Sequence, residues 1–134
     1  HGGSSVLIGG VTDYTAHKFD PAHKSDPQAA LAGSPQDIAI KVLLAHQPRT
    51  AEAAEAAGFD LQLSGHTHGG QIRLLGWSPA VPVKHGMRLA YGHIKLKCDV
   101  VVSGGLGCSI MPFRLGVPPE IVQVTLGGKG PVVS

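Results

Sequence analysis

The sequence predicts an α/β fold, a mixed β-sheet with a central βαβ unit and a β-rich C-terminal part. Three observations carry this expectation. Ile38–Ala45 (IAIKVLLA) is a nearly continuous apolar run, the pattern of a strand buried on both faces, and Pro48 soon afterwards stops the pairing. Ala51–Ala57 (AEAAEAA) is a run of strong helix formers. Phe59, Leu61 and Leu63 then alternate with more polar neighbours, as a short strand does. The chain has 134 residues, enough for one domain, expected over 1–126 with 127–134 as a flexible tail.

Each element follows in order. Ser4–Val11 is apolar and bounded by glycines, which predicts a first strand. Thr12–Ser25 is polar and reads as a loop. Asp26 is placed to cap a short helix with Pro27 in its first turn, and Gly33 to end it. Thr50 is expected to cap the alanine-rich helix and Gly58 to close it. Beyond the βαβ unit, Arg88–Lys97 and Cys98–Ser103 predict two strands, with Gly104, Gly105 and Gly107 in a tight loop after them. In Glu120–Leu126, Val122, Val124 and Leu126 share one face, so a half-exposed strand is expected.

Composition narrows the function. Hydrophobic residues are 43% and charged residues 15%, so the chain can build a core. The net charge of +2 comes with no basic stripe, which argues against nucleic acid as a partner. The longest apolar run is interrupted by Lys41 and is too short to span a bilayer. Cys98 and Cys108 form no CxxC pair and fit buried free thiols better than a disulfide.

Eight histidines are many for this length, and three of them have a common destination. The two strands of a right-handed βαβ unit are parallel, so their carboxyl ends share one sheet edge, where ligand sites of open α/β sheets form. His46 follows the first strand; His66 and His68 follow the second. Extended through 66–68, the two imidazoles of the H-x-H would point the same way, with Cα atoms about 6–7 Å apart. Imidazole nitrogens bind zinc, manganese or iron at about 2.0–2.2 Å, so these side chains are candidate ligands for one ion or a close pair.

Leu43–Pro48 (LLAHQP) followed by Leu63–Gln71 (LSGHTHGGQ) resembles the calcineurin-like metallophosphoesterases, in particular a bacterial phosphohydrolase branch whose members often carry N-terminal membrane segments. The later VSGGLGCSIMPFRLGVPPEI and the early GGVTD are similar to the same branch. The resemblance implies a C-terminal half of an αββα sandwich, phosphoester hydrolysis at a two-metal site, and divalent Mn, Zn or Fe as cofactors. By position it assigns His46 and His66 to one ion and His68 to the other. It also implies an upstream D-x-H, a G-D with a bridging aspartate, and a G-N-H-D/E carrying the catalytic histidine. None of these occurs here, and the sequence contains no asparagine. The expectation is therefore no catalytic acid in this chain, at most one bound metal, and little activity alone.

Arg114 and Gly105 are candidate contacts for a substrate phosphate, the first through its guanidinium and the second within an anion-binding nest. A structural role weighs equally against the first, and a turn between strands is the commoner use of such a glycine run. Asp13 follows the first strand and could approach the cleft, with loop capping the favoured role; His17, His23, His85 and His93 have no partner at ligand spacing. Other readings are a mononuclear three-histidine zinc site and a non-catalytic, self-associating module. Either way, an exposed sheet face is expected to be buried by a second copy or by the missing N-terminal half. The resemblance further allows a membrane anchor in the intact protein, outside this sequence.

Overall fold

The computed structural model describes residues 4–75, 77–79, 89–127 and, for the backbone, 130–133. Its centre is a mixed five-stranded sheet. Strands β1 (Val6–Gly10), β2 (Ile40–Leu44), β3 (Leu61–Ser64), β4 (Gly92–Ile94) and β5 (Asp99–Val102) lie in the order β1-β2-β3-β5-β4. The first four in that order run parallel, and β4 pairs antiparallel with β5 at the edge. Four carboxyl ends therefore open onto one edge of the sheet. The expected βαβ unit is β2, helix α2 (Ala51–Ala57) and β3, with Val42 opposite Leu61 and Leu44 opposite Leu63.

Local chemistry explains most element ends. The Asp26 carboxylate accepts from the Ala29 N–H at 3.0 Å and caps the single turn α1 (Pro27–Ala30). Gly58 closes α2 in the left-handed conformation at φ 90°, where a side chain would be strained. Thr50 departs from expectation. It ends a 3-10 turn over Pro48–Thr50 in helical conformation, and its hydroxyl makes no cap bond. Of Arg88–Lys97 only Gly92–Ile94 pairs; Leu96 N–H turns instead to the Asp99 carboxylate at 3.3 Å, and Arg88 lies outside the described residues. The last strand begins at Val124 rather than Glu120, and β6 (Val124–Gly127) pairs antiparallel with β7 (Gly130–Val133). The segment expected to be a tail thus contributes a strand.

The sheet buries its two faces unequally. On the helix side, Leu43, Ala45, Ala54, Phe59 and Cys98 form one buried cluster, and Val100 and Val102 close on Ala51. The other face is buried only at its centre, where Val42, Leu61 and Val101 pack under Val122 and Val124. Towards β1 it is bare: Ile8 is 68% exposed, and Val6 and Leu44 are exposed beside it. Burial of a full aliphatic side chain contributes about 1.5–3 kcal/mol, so stability resides on the helix side.

The thiols divide accordingly. Cys98 is buried and free, and burial pushes its pKa up to about 12. Cys108 is exposed, contrary to the expectation of two buried thiols. Titration with an aromatic disulfide at pH 8 should therefore modify one thiol per native chain and both in denaturant, since only the thiolate attacks.

Candidate metal centre

Two of the three predicted histidines meet where two parallel strands end. Ala45 N–H donates to the Leu63 carbonyl and Gly65 N–H to the His46 carbonyl, both at 3.1 Å, extending the β2–β3 ladder past the strands. This places the His46 Nε2 atom 3.2 Å from His66 Nδ1, with the rings edge to face at 5.0 Å between centroids. Both are exposed, above a shallow depression of about 340 Å³ lined by Leu44, Ala45, His46, Leu63, Ser64 and Gly65. The pair suits a cation. Two imidazole nitrogens on a tetrahedral ion, each at about 2.0–2.1 Å, stand about 3.4 Å apart. The 3.2 Å spacing of the two nitrogens is close to that separation.

His68 is held elsewhere. The H-T-H segment is not extended: His66 has φ 68° and His68 φ 50°, both in the left-handed region, with Thr67 helical between them. Thr67 N–H bonds the Gly65 carbonyl at 2.8 Å, and its hydroxyl donates to the Ala90 carbonyl at 2.6 Å. The turn rotates the His68 side chain towards Arg114, whose NH2 lies 3.5 Å from His68 Nδ1. Left-handed non-glycine residues are costly and concentrate at functional loops. Gly69 must follow in the same region at φ 61°, because a Cβ there would meet Val117 Cγ1 at 2.7 Å.

A third strand delivers an acid to the same edge. Asp13, three residues beyond β1, accepts from Thr15 N–H at 2.8 Å, Thr15 hydroxyl at 2.6 Å and Gln47 Nε2 at 3.0 Å. The Thr15 bonds, the Gln47 bond and the field of nearby His46 hold its carboxyl below the usual range. It caps the loop as expected, and it also ties that loop to the residue after His46. Its position after a parallel strand was the available signal for the second role. His66 feels burial first and His46 next; both hold its pKa below that of free imidazole, and Asp13 opposes them. The net shift favours the neutral form of the ring.

The glycine loop is already filled by the protein itself. Gly104 N–H donates to one oxygen of Glu120 at 2.8 Å, and Tyr91 hydroxyl to the other, which raises the Tyr91 pKa. Gly105 N–H is taken by the Ser103 hydroxyl at 3.0 Å. Arg114 donates to the Gly104 carbonyl at 2.6 Å, to the Gly107 carbonyl, and to the His68 carbonyl at 3.4 Å. Arg114 thus fastens the glycine loop to the H-T-H turn. Gln71 was not singled out by sequence, yet it is buried, and its amide donates to the Met111 and Phe113 carbonyls at 2.9 and 3.1 Å.

Among the described residues, no group of three or more His, Cys, Asp or Glu is gathered to hold a metal ion. His46 and His66 are together; His68 is adjacent in the loop but turned to Arg114. The carboxyl edge of this α/β protein's sheet thus carries two imidazoles in contact, with Asp13 bonded to Gln47 beside them.

Comparison with known proteins narrows this. The chain is 36% identical over 91 residues to the metallophosphoesterase YkuE of Bacillus subtilis, covering 67% of this chain and 32% of that protein. It is 39% identical over 93 residues to a metallophosphoesterase of Aquifex aeolicus, covering 66% and 33%. It is 33% identical over 87 residues to the phosphodiesterase YaeI of Escherichia coli, covering 64% and 32%. The chain belongs to the metallophosphoesterases, a family of hydrolases. It spans less than half the length of the curated relatives it matches, about a third for these three. No family model matches the chain. No solved structure matches it either.

Proposed function

We propose that this chain supplies the histidine side of a phosphoester-hydrolysing metal site, with the remaining ligands coming from sequence outside these 134 residues. The observation that carries the reading is the His46–His66 contact of 3.2 Å at the carboxyl edge, on a chain related to metallophosphoesterases. His46 and His66 would hold one divalent ion, with Mn, Zn and Fe all suited to imidazole. Such an ion supplies Lewis acidity towards phosphoryl oxygens. His68 would face a second ion in the complete site; in this chain at most one ion is expected.

The other residues position this edge. Asp13 and Gln47 brace the backbone at His46, while Arg114 holds the H-T-H turn against the glycine loop. Gly105 spends its one N–H on Ser103 and Arg114 most of its donors on backbone carbonyls, which leaves little of either for a substrate phosphate. The relative named a phosphodiesterase supports a phosphoester substrate. The bare face around Val6, Ile8 and Leu44 fits burial by the rest of the domain or by a second copy.

Manganese-dependent hydrolysis of para-nitrophenyl phosphate and its bis ester tests the reading. The chain alone should give no turnover above background, and a longer polypeptide that adds the upstream ligands should give metal-dependent turnover. Robust turnover by the isolated chain would defeat the shared-site reading.

A further inference from the structure

One residue breaks the apolar row on the helix side of the sheet. In the ladder Gln62 stands between Leu43 and Val100, and all three are completely buried. An amide in such a place costs stability unless each polar atom is matched. Gln62 is only partly matched: among the described residues its buried Oε1 has no hydrogen-bond partner. A methionine of similar length would fill the row without that loss. Packing does not account for the amide; the bonds it donates do.

Those bonds bracket His46. Gln62 Nε2 donates to the Gln47 carbonyl at 3.4 Å and to the Ser64 hydroxyl at 2.9 Å. The Ser64 hydroxyl donates in turn to the Ala45 carbonyl at 2.7 Å. Between these two, the His46 carbonyl accepts from Gly65 N–H at 3.1 Å. Three successive carbonyls, those of Ala45, His46 and Gln47, are thus tied to the stretch 62–65, which runs directly into His66. Strand β2 ends at Leu44, so two of these three ties fall to side chains. The donors form a chain, from Gln62 through Ser64 to the Ala45 carbonyl, in which each bond polarises the next.

We propose that Gln62 and Ser64 are positioning residues that set the spacing of the His46–His66 pair. They act through the backbone, holding the peptides on both sides of His46 against the strand that delivers His66. The value of this spacing to an ion rests on the reading of the pair as metal ligands; the spacing itself does not. A metal tolerates ligand distances only within about 0.2 Å, so a His46 backbone released on both sides would lose the match. Groups that orient a ligand in this way are each worth about 10–100-fold in metal affinity.

Nuclear magnetic resonance of the full, metal-free chain tests the spacing, and zinc titration tests its consequence. In the parent, ring protons of His46 and His66 should show a nuclear Overhauser contact, since the ring centroids are 5.0 Å apart. Gln62→Met and Ser64→Ala should lose this contact and bind zinc at least about tenfold more weakly. Ser64→Thr, which keeps the hydroxyl, should restore both. Gln62→Met should melt no lower than the parent, because the unmatched Oε1 is gone and the Gln47 carbonyl keeps Thr50 N–H at 3.3 Å. The proposal is overturned if the parent lacks the ring contact, if either variant keeps it, or if Ser64→Thr behaves as Ser64→Ala. It is equally overturned if a zinc-binding parent is matched in affinity by both variants, or if the contact is lost only in chains that no longer fold. A parent that binds no zinc, but whose ring contact is lost in the two variants, upholds the positioning role and rejects the metal reading instead.

Discussion

His66→Ala should lower the affinity of the chain for zinc or manganese by at least about 100-fold. Removing a group that merely supports a metal ligand already costs about 10–100-fold, and among the described residues His66 is one of the two imidazoles in contact at the sheet edge. The same variant should leave stability almost unchanged, because the side chain is exposed and its one ring contact is His46. The pH dependence has a defined sign. Burial and His46 lower the His66 pKa, so protons compete less with the metal there than at free imidazole. Metal binding in the parent should persist somewhat below pH 6.5, the ordinary imidazole value, and fade as the pH drops further. Calorimetric titration of parent and variant across that range measures both effects.

The largest expected effect on folding lies in the neighbouring strand β2. Leu43→Ala should destabilise the chain by about 3–5 kcal/mol, the upper part of the range for buried leucine. Leu43 is completely buried in β2 and meets Ala45, Ala54, Phe59 and Cys98. The helix α2 covering it is built of small side chains and cannot extend into the cavity. Ile8→Ala on the bare face should cost under about 1 kcal/mol, because little of that side chain leaves water on folding. Urea melts of the two variants check the contrast between the faces. They also test whether the far face is truly idle in the isolated chain.

The framework of the site was legible in the sequence because it rests on local patterns. An apolar run, a helix-forming run and an alternating run specify β2, α2 and β3, and the parallel pairing that follows places His46 and His66 on one edge. Where His68 points was not legible. It depends on the sign of φ at His66 and His68, which in turn depends on a bond from Thr67 to Ala90, 23 residues away. The fate of the glycine loop was hidden for a similar reason, since the anion that fills it is Glu120, 16 residues further on. Asp13 was visible as a loop cap, but its reach to Gln47 required knowing that β1 lies beside β2. The last strand, Gly130–Val133, was missed because the sequence leading into it is rich in glycine, and it is defined by its pairing with Val124–Gly127.

The most direct test of the central claim is the number of divalent ions bound per chain. Manganese counted by electron paramagnetic resonance, or zinc by native mass spectrometry, should reach one equivalent at saturation and fall to near zero in His46→Ala. That result would place a single ion on the paired histidines, with the rest of the site supplied from elsewhere. Two equivalents per chain, or one equivalent unchanged in His46→Ala, would contradict the account.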